Sequence, residues 1–447
     1  MPKIESYSLF RLHFSKNFWS SVNRSLVPYK YPLTTPEQKE EFLMSLYELI
    51  KSDKYAQYSP RENLLWRKYN LANRIVPVFD YPELCVHYYL IRKLEPDIAD
   101  EDRRVQGTFG GYRTDIGLKY AEAKEIETIK SGANLYYGPD LTYNPLGWFD
   151  HWGKFQNLAH NYSEDNFGYA INFDIADFYD SINVNILEDM LRIACSNADI
   201  VDWMCDFLHR WNPQKKQTDV GISQDEVGDA SRILANFYLH GYDNALAAYC
   251  QKLGSRRLRF SDDHIIFAPS REVAHQIVEE AGRLLHRLGL RINGGKVEEF
   301  SNKSQFHLYW SFDLFNMVNE KNAEKKEFVE RAVIDFLNYP NVPFRKISVI
   351  RRLLHCSIEK IRLDLRAGFF AKVLDEEVIL SLSESDLYRL YKKSTSSQKV
   401  ELITYLEELA NQTTLNAYHY RLLKLFSRVR HISKVDLRKL IANEKIY

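Results

Sequence analysis

Cysteine is scarce in this sequence, with 5 residues in a chain of 447. The cysteines stand at positions 85, 195, 205, 250 and 356, and no two of them form a CxxC pair or a zinc-type cluster. This pattern favours reduced, mostly buried thiols over a metal-binding or disulfide framework. We therefore expect a protein of a reducing, cytosolic compartment.

Long hydrophobic runs and a surplus of one charge are absent as well. The start, MPKIESYSLFRLHF, lacks the apolar stretch of a signal peptide, and no later segment is long and apolar enough to cross a bilayer. Lysine plus arginine is 60 and aspartate plus glutamate is 60, which argues against a broad, sequence-independent coat on nucleic acid. A local basic groove beside an acidic site is compatible with this balance. We expect a soluble, cytoplasmic protein without a membrane partner.

The residues that are present have the composition of a folded globular protein. Hydrophobic residues make up 45% of the chain and aromatic residues 14%, and the length predicts two or three domains. The chain shows no internal repeat and no low-complexity tract. Mixed patterns extend to about residue 165, strands and helices alternate from Tyr169, and helical patterns run from about residue 344 to the end.

The middle region carries the clearest local signals. YAINFDI predicts a buried strand, and NILEDMLRIAC predicts a helix with Asn185 as its candidate N-cap. SRILANFYLHGYDNAL predicts one further helix. After two strand-forming runs, a helix is predicted with Ser270 near its start and Gly289 as its C-terminal stop.

Two adjacent carboxylates, Asp262 and Asp263, lie in a tight turn within RRLRFSDDHIIFAPS. Like charges at a turn repel each other, and a purely structural turn more readily uses Asn-Gly or Asp-Gly. Asp174 follows the strand YAINF near its exit, and an antiparallel neighbour would bring it beside the turn. Such an oxygen-rich site suits Mg²⁺, and two ions about 4 Å apart would serve phosphoryl transfer. Taken alone, a DD turn is more often a solvated loop.

With the order of the elements around it, this acidic set resembles the reverse transcriptases over roughly residues 70–315. The motifs that carry the resemblance are D-I-x-x-F-Y-D-S-I at 174–182, SRILANFYL at 231–239, FSDD at 260–263, GLRINGGK at 289–296 and FHLYWSF at 306–312. The last of these sits where the family has a primer-gripping hairpin. The resemblance implies an α+β right-hand polymerase. Its parts would be fingers at 1–165, a palm with an antiparallel sheet and packed helices at 166–318, and an all-α thumb at 319–447.

The resemblance also implies the catalytic set. Asp174 and Asp262 would be the principal metal ligands, with Ile175 beside the first and Asp263 as a supporting acid. Lys296 would neutralise the leaving pyrophosphate or donate a proton to it. The implied cofactor is Mg²⁺, with Mn²⁺ as an alternative, and the implied substrates are deoxynucleoside triphosphates.

Further residues are implied to bind the nucleotide: Arg74, Asp177, Phe178, Tyr179, Ser231 and Lys296. A bulky ring at Tyr179 would collide with a 2′-hydroxyl, whereas the alternative is that Phe178 and Tyr179 are core aromatics. Arg74, in NRIVPVF, would bind the triphosphate through two parallel hydrogen bonds from its guanidinium. The alternative is a solvated side chain, which is usual for basic residues on strands. Lys68 is a weaker candidate. Arg113, in FGGYR, resembles a structural position in a loop between fingers and palm.

Two departures from the family concern template and primer. ISQDEVGDAS has Val227 where the family's glycine would be and Gly228 one place later, and LYW replaces the usual Leu-Gly of the gripping hairpin. Both changes affect how nucleic acid is held and leave the metal ligands intact. The sequence therefore supports nucleotidyl transfer better than ordinary copying of an RNA template.

The altered template-side motif and the helical C-terminal extension are similar to those of abortive-infection and other defence-associated bacterial reverse transcriptases. Some of that group extend DNA without a template from a protein hydroxyl, others copy a non-coding RNA, and some form homo-oligomers. The basic tail supplies candidate nucleic-acid contacts, with a solvated helix face as the alternative. These contacts are Arg421, Lys424, Arg428 and Arg430.

Two functions of other classes stay open at this point. One is a nucleotidyl cyclase on a related palm, which would release small cyclic products, although the GGDEF signature is missing. The other is a nucleic-acid-binding scaffold that has lost catalysis, against which the retention of all three acids and Lys296 argues.

Overall fold

The structure, a computed structural model, describes residues 4–14, 16–67, 73–99, 103–111, 148–165, 167–211, 219–224, 230–319, 321–339 and 344–443. Lys68, Arg113, Val227 and Gly228 lie outside these ranges. The chain divides into two compact units, Met1–Glu62 with Pro77–Asn302, and Asn63–Val76 with Lys303–Tyr447. Among the described residues, no helix is long and apolar enough to reach across a bilayer.

The N-terminal part of the chain is mainly helical. Its elements are α1 (Tyr7–Phe10), α2 (Lys16–Val22), α3 (Pro36–Lys51), β1 (Glu62–Arg67), β2 (Asn73–Val78), α4 (Tyr81–Ile98), β3 (Thr108–Phe109) and α5 (Trp148–Glu164). A capping box starts α3, because the side chains of Thr35 and Gln38 each accept a hydrogen bond from the other's backbone. Most of α4 is buried, so this helix forms the centre of the first unit's core.

A five-stranded sheet positions the acidic residues. It adds β4 (Tyr169–Asp174), β5 (Arg256–Phe260), β6 (Asp263–Ala268) and β7 (Glu298–Phe300) to β3, in the order β3-β5-β6-β4-β7. β6 runs antiparallel to both β4 and β5, β7 runs antiparallel to β4, and β3 runs parallel to β5. The predicted buried strand at 169–174 and the predicted hairpin around Asp262 are confirmed.

Helices pack around this sheet: α6 (Phe178–Ser181), α7 (Val184–Ala194), α8 (Ala198–Arg210), α9 (Ala230–Tyr238), α10 (His240–Lys252) and α11 (Arg271–Arg287). Ser270 caps α11 by accepting from the Val273 N–H, and Gly289 ends the following turn at φ +72°, as predicted. The predicted cap of α7 is wrong by two residues. Asn183 is the cap, because its side chain accepts from the backbone N–H groups of both Asn185 and Ile186.

The single helix predicted over SRILANFYLHGYDNAL is two helices, α9 and α10. The break lies at Leu239, whose N–H bonds three residues back to Asn236 O and so tightens the turn there. The predicted inward residues Ile233, Leu234, Phe237 and Leu246 are buried all the same. The break therefore divides the predicted helix without changing which of the predicted side chains enter the core.

The second unit has its own apolar core. In the part of it that the structure describes, the elements are helices apart from β1 and β2, which form a two-stranded sheet. Its helices are α12 (Lys303–Trp310), α13 (Phe312–Met317), α14 (Lys326–Leu337), α15 (Lys346–Leu354), α16 (Leu363–Val373), α17 (Glu376–Ser381), α18 (Glu384–Lys393), α19 (Ser396–Gln412), α20 (Asn416–Val429) and α21 (Leu437–Asn443). Asn416 joins β1 to these helices: its amide accepts from Leu65 N over 2.7 Å and donates to Asn63 O over 2.8 Å. The division into fingers, palm and thumb stays a prediction.

The predicted hairpin at 306–312 is wrong, because this segment lies in α12 and α13. Phe306 and Trp310 are four residues apart and both buried, which is the spacing of a helix face. Ser311, at φ +56°, separates the two helices. The aromatic residues of this segment thus belong to helices of the second unit.

Candidate active site

The sheet brings the three predicted acids together. In the antiparallel pairing of β4 with β6, Asp174 lies opposite Asp263. Asp262 lies in the turn that connects β5 to β6, and its carbonyl accepts a hydrogen bond from the Ile175 N–H over 3.3 Å. The strand end at 174–175 and the turn at 262–263 are therefore direct neighbours. This is the arrangement that the sequence analysis predicted for these residues.

The GLRINGGK segment runs beside the end of β4. Asn293 N donates to Asp174 O over 2.7 Å, and Ala176 N donates to Arg291 O over 2.9 Å. This pairing brings Lys296 Nζ to 2.6 Å from Asp174 Oδ2, with Asn293 Nδ2 at 3.5 Å from the same oxygen. The segment recognised as a motif in the sequence thus supplies a cation directly to the acidic cluster.

The electrostatics of the cluster follow from burial and from like charge. Burial and the charges of Asp263 and Asp174 raise the pKa of Asp262 to about 7. Burial lowers the pKa of Lys296, but its hydrogen bond to Asp174 and the charges of all three carboxylates outweigh burial and raise the pKa overall. The acids therefore repel each other and hold the lysine in its charged form.

The residues fit a divalent cation. Asp174 is only 5% exposed, and its Oδ1 is buried without a hydrogen-bond partner, although a buried carboxylate oxygen normally has one. Carboxylates are the hard oxygen ligands that Mg²⁺ and Mn²⁺ prefer, and Asp174 and Asp263 lie close enough to Asp262 to raise its pKa. A bound cation would satisfy the unpartnered oxygen and would offset both the burial and the like charges that raise the pKa of Asp262. The assignment of Asp174, Ile175, Asp262 and Asp263 as a metal set stays a prediction.

The residues after β4 form a short, sharp turn that leads into α6. Asp177 is exposed and left-handed at φ +43°, and Phe178 and Tyr179 are buried at 3% and 8% exposure. The carbonyl of Tyr179 accepts from the Ile222 N–H over 2.9 Å, which ties this turn to the segment at 219–224. The burial of both rings agrees with the core-aromatic alternative for Phe178 and Tyr179. A gating role of Tyr179 and a nucleotide contact of Asp177 stay predictions.

Ser231 and Arg421 require corrections. Ser231 is 3% exposed and its hydroxyl lies 3.5 Å from His87 Nε2 in the core, so it offers no surface to a nucleotide. Arg421 is 1% exposed and donates to the carbonyls of Leu380 and Leu382. This guanidinium stabilises the interior of the second unit and has no surface with which to bind nucleic acid.

The remaining predicted contacts lie on the second unit. Lys424, Arg428 and Arg430 are exposed, and Arg428 also pairs with Glu384 over 3.2 Å and stacks on Tyr388. Arg74 lies on β2. Contacts of these four residues with a triphosphate or a nucleic acid stay predictions.

Sequence reasoning missed the buried charges beneath the acidic turn. Arg259 and Asp243 are both 0% exposed and paired, and His264 is 2% exposed, stacked on Phe173, with Nδ1 2.9 Å from Asp262 O. Because a carbonyl can only accept, Nδ1 carries the proton of this imidazole. Burial lowers the pKa of His264 to about 3, so the ring is neutral. For His264 the available signal was a histidine next to the apolar run IIFA of β6, whereas β5, RRLRF, gave no such contrast for Arg259.

One aspartate thus stands at the end of β4, and two more stand where the adjoining hairpin turns into β6. This is the arrangement predicted from the sequence for a nucleotidyl-transfer site. Residues 106–323 match the family model described as "Reverse transcriptase (RNA-dependent DNA polymerase)". The chain therefore carries a reverse transcriptase domain in an α+β fold of that type. It is an enzyme of the RNA-directed DNA polymerase class, and as such a nucleic-acid polymerase.

No curated protein sequence matches the chain. Among solved structures, the chain is similar to a telomerase from Candida tropicalis, determined with a fragment of telomeric RNA. That similarity has 10% identity and a TM-score of 0.32, and it covers 91% of this chain and 68% of the telomerase. At this TM-score the likeness supports no conclusion about function.

Proposed function

We propose that this enzyme adds deoxynucleotides to a growing DNA end by two-metal phosphoryl transfer. The observation that carries the proposal is the pairing of Asp174 with Asp263 beside the Asp262 turn. Asp174 has one buried, unpartnered carboxylate oxygen, and Lys296 Nζ lies 2.6 Å from the other. The three acids would hold Mg²⁺ or Mn²⁺. Bound there, the ions would neutralise the triphosphate and activate the attacking hydroxyl.

The chain's own residues would then perform the remaining tasks. Lys296 holds a proton beside the cluster because the acids raise its pKa, and it can neutralise or protonate the leaving pyrophosphate. The ring of Tyr179 would contact the sugar of the incoming nucleotide and would collide with a 2′-hydroxyl. Arg74 would bind the triphosphate through its fork of donors.

The test is incorporation of labelled dNTPs by purified protein with Mg²⁺ or Mn²⁺. Asp262→Ala is expected to lower incorporation by about 10³-fold or more, because it removes a ligand from the ions that stabilise the transferring phosphoryl group. Asp189→Asn, which changes an exposed carboxylate on α7, is the matched control and is expected to leave the rate unchanged. Incorporation that survives Asp262→Ala would remove the assignment.

We further propose that the enzyme acts in antiphage defence, either copying a non-coding RNA or extending DNA without a template. The support is the resemblance of the template-side motif and the helical C-terminal region to defence-associated members. Cells that express the wild type should resist phage, and cells that express Asp262→Ala should not. Equal plaque counts would contradict the defence role and leave the polymerase assignment standing.

The nucleic acid that co-purifies with the protein identifies the mode of synthesis. A defined RNA in the purified complex would indicate templated synthesis. DNA of random sequence joined covalently to the protein would indicate template-free extension from a side chain. Nuclease treatment before and after protease digestion, followed by sequencing, separates the two modes.

A further inference from the structure

The turn that presents Asp262 and Asp263 is held through its backbone by a buried arginine. Arg259 Nη1 donates to Ser261 O over 2.6 Å. Ser261 has φ +57°, in the left-handed region that residues other than glycine rarely adopt. A conformation of this kind persists where the surrounding structure restrains it, and the bond from Arg259 is such a restraint.

The guanidinium of Arg259 is itself fixed by two neighbouring helices. Its Nε donates to Asp243 Oδ1 on α10 over 2.8 Å, and its Nη2 donates to Asn236 Oδ1 on α9 over 2.7 Å. Nη2 also contacts the second oxygen of Asp243. Arg259 and Asp243 are fully buried, so the planar fork has one orientation in which all its acceptors are reached. That orientation determines where Ser261 O is held.

Arg257 provides a comparison within the same strand. It is buried at 5% exposure and donates to the same acid, Asp243 Oδ1, over 3.0 Å. Its other terminal nitrogen donates to Thr108 Oγ1 on β3 over 3.0 Å, whereas Arg259 donates to Ser261 O in the turn. The two arginines therefore share burial, strand and counter-charge, and they differ in whether they hold the acidic turn.

We propose that Arg259, oriented by Asp243 and Asn236, is a positioning residue that sets the Asp262–Asp263 turn relative to Asp174. This inference rests on the proposed function, because it concerns the geometry of the same site. Asp263 pairs with Asp174 across the sheet, so a tilt of the turn changes the separation of the three carboxylates. Loss of the fork weakens divalent-cation binding and slows nucleotidyl transfer although every ligand is still present.

Arg259→Lys tests the proposal. Lysine keeps a positive charge beside Asp243, but a single ammonium cannot reach Ser261, Asp243 and Asn236 together. Mn²⁺ binding is measured by calorimetry on the nucleotide-free protein, together with the Mg²⁺ concentration for half-maximal dNTP incorporation. Arg259→Lys is expected to weaken Mn²⁺ binding about 10-fold and to slow incorporation about 10- to 100-fold, since misplacement by about 1 Å costs that much in a catalytic site.

Arg257→Lys is the matched control, and both quantities are expected to stay within about threefold of wild type, because the turn keeps its anchor. Equal losses in the two variants would mean a merely structural role and would overturn the proposal. Mn²⁺ binding like that of wild type in folded Arg259→Lys would overturn it as well. If circular dichroism shows that Arg259→Lys is unfolded, Asn236→Ala, which removes one acceptor of the fork, replaces it. Weaker Mn²⁺ binding by Asn236→Ala then supports the proposal, and unchanged binding overturns it.

Failure of the proposed function gives a different result. In that case the wild type incorporates no dNTP under any metal, and Asp262→Ala does not weaken Mn²⁺ binding. Failure of the positioning role alone leaves an active wild type, an inactive Asp262→Ala and an Arg259→Lys variant equal to Arg257→Lys.

Discussion

Burial of the Asp262 carboxyl beside two like charges has a measurable effect on stability when no metal is bound. The pKa of Asp262 is raised from 3.8 to about 7 in the folded chain. The stability linked to this group is therefore fully present below pH 3.8 and is lost as the pH rises through 7. At 1.36 kcal/mol per pKa unit, ionised Asp262 costs the fold about 4 kcal/mol at pH 8 and less than about 2 kcal/mol at pH 5. Asp262→Asn removes this cost, so the inactive variant is expected to be more stable than wild type in EDTA at pH 8.

Urea unfolding in EDTA at pH 8 and pH 5, followed by tryptophan fluorescence, measures this difference. The advantage of Asp262→Asn is expected to shrink at the lower pH, and Asp189→Asn, an exposed control, should change stability by less than about 0.5 kcal/mol at either pH. Mg²⁺ at ten times its Kd should stabilise wild type by about 1.4 kcal/mol and the variant by less. A variant that is no more stable than wild type at pH 8, or whose advantage is independent of pH, would refute the electrostatic reasoning.

Three further predictions concern other parts of the chain. Glu83 accepts from the Tyr58 N–H and burial raises its pKa to about 7, so its stability contribution is lost as the pH rises from 4.5 through 7. Glu83→Gln should therefore stabilise the chain by about 3 kcal/mol at pH 8 and much less at pH 5 in urea unfolding. Asn416→Asp leaves Asn63 O without its donor and should cost about 1–3 kcal/mol; an unchanged urea midpoint would contradict the role of this amide in joining β1 to the helices. Tyr179→Val should admit ribonucleotides and lower the dNTP-to-NTP preference about 10-fold or more, and a preference equal to wild type would remove the gating role.

Local signals predicted the elements of the acidic site well. The strand at 169–174, the hairpin at 256–268 and the helix capped by Ser270 are where the sequence indicated, because alternation, turn residues and an N-cap act over a few neighbours. The cap of α7 was missed by two residues, since Asn183 and Asn185 are both plausible caps until the helix start is known. The hairpin predicted at 306–312 is wrong because that prediction rests on the position of the segment in the family, whereas its buried residues have helical spacing.

Burial of single charged residues could not be read from the sequence. The basic composition of the tail predicts that Arg421 is an exposed cation. Its guanidinium is instead buried in the second unit and donates hydrogen bonds to three backbone carbonyls. Ser231 and Arg259 show the same difficulty, since a hydroxyl or a guanidinium in a mixed pattern is buried only if distant residues supply its partners. Those partners, His87 for the first and Asp243 with Asn236 for the second, are defined by packing.

Residue identity and local spacing were enough to predict the acidic set and its lysine, since three acids, a lysine and the elements around them are recognisable before any packing is known. Tertiary structure alone decided that Asp174 faces Asp263, that Lys296 reaches the cluster, and that Arg259 holds the turn from a buried network. The difference arises from how far along the chain each interaction acts. Propensity and capping act within about one helical turn, whereas strand register and buried charge pairs join residues that are far apart in the chain and are fixed only when the core closes.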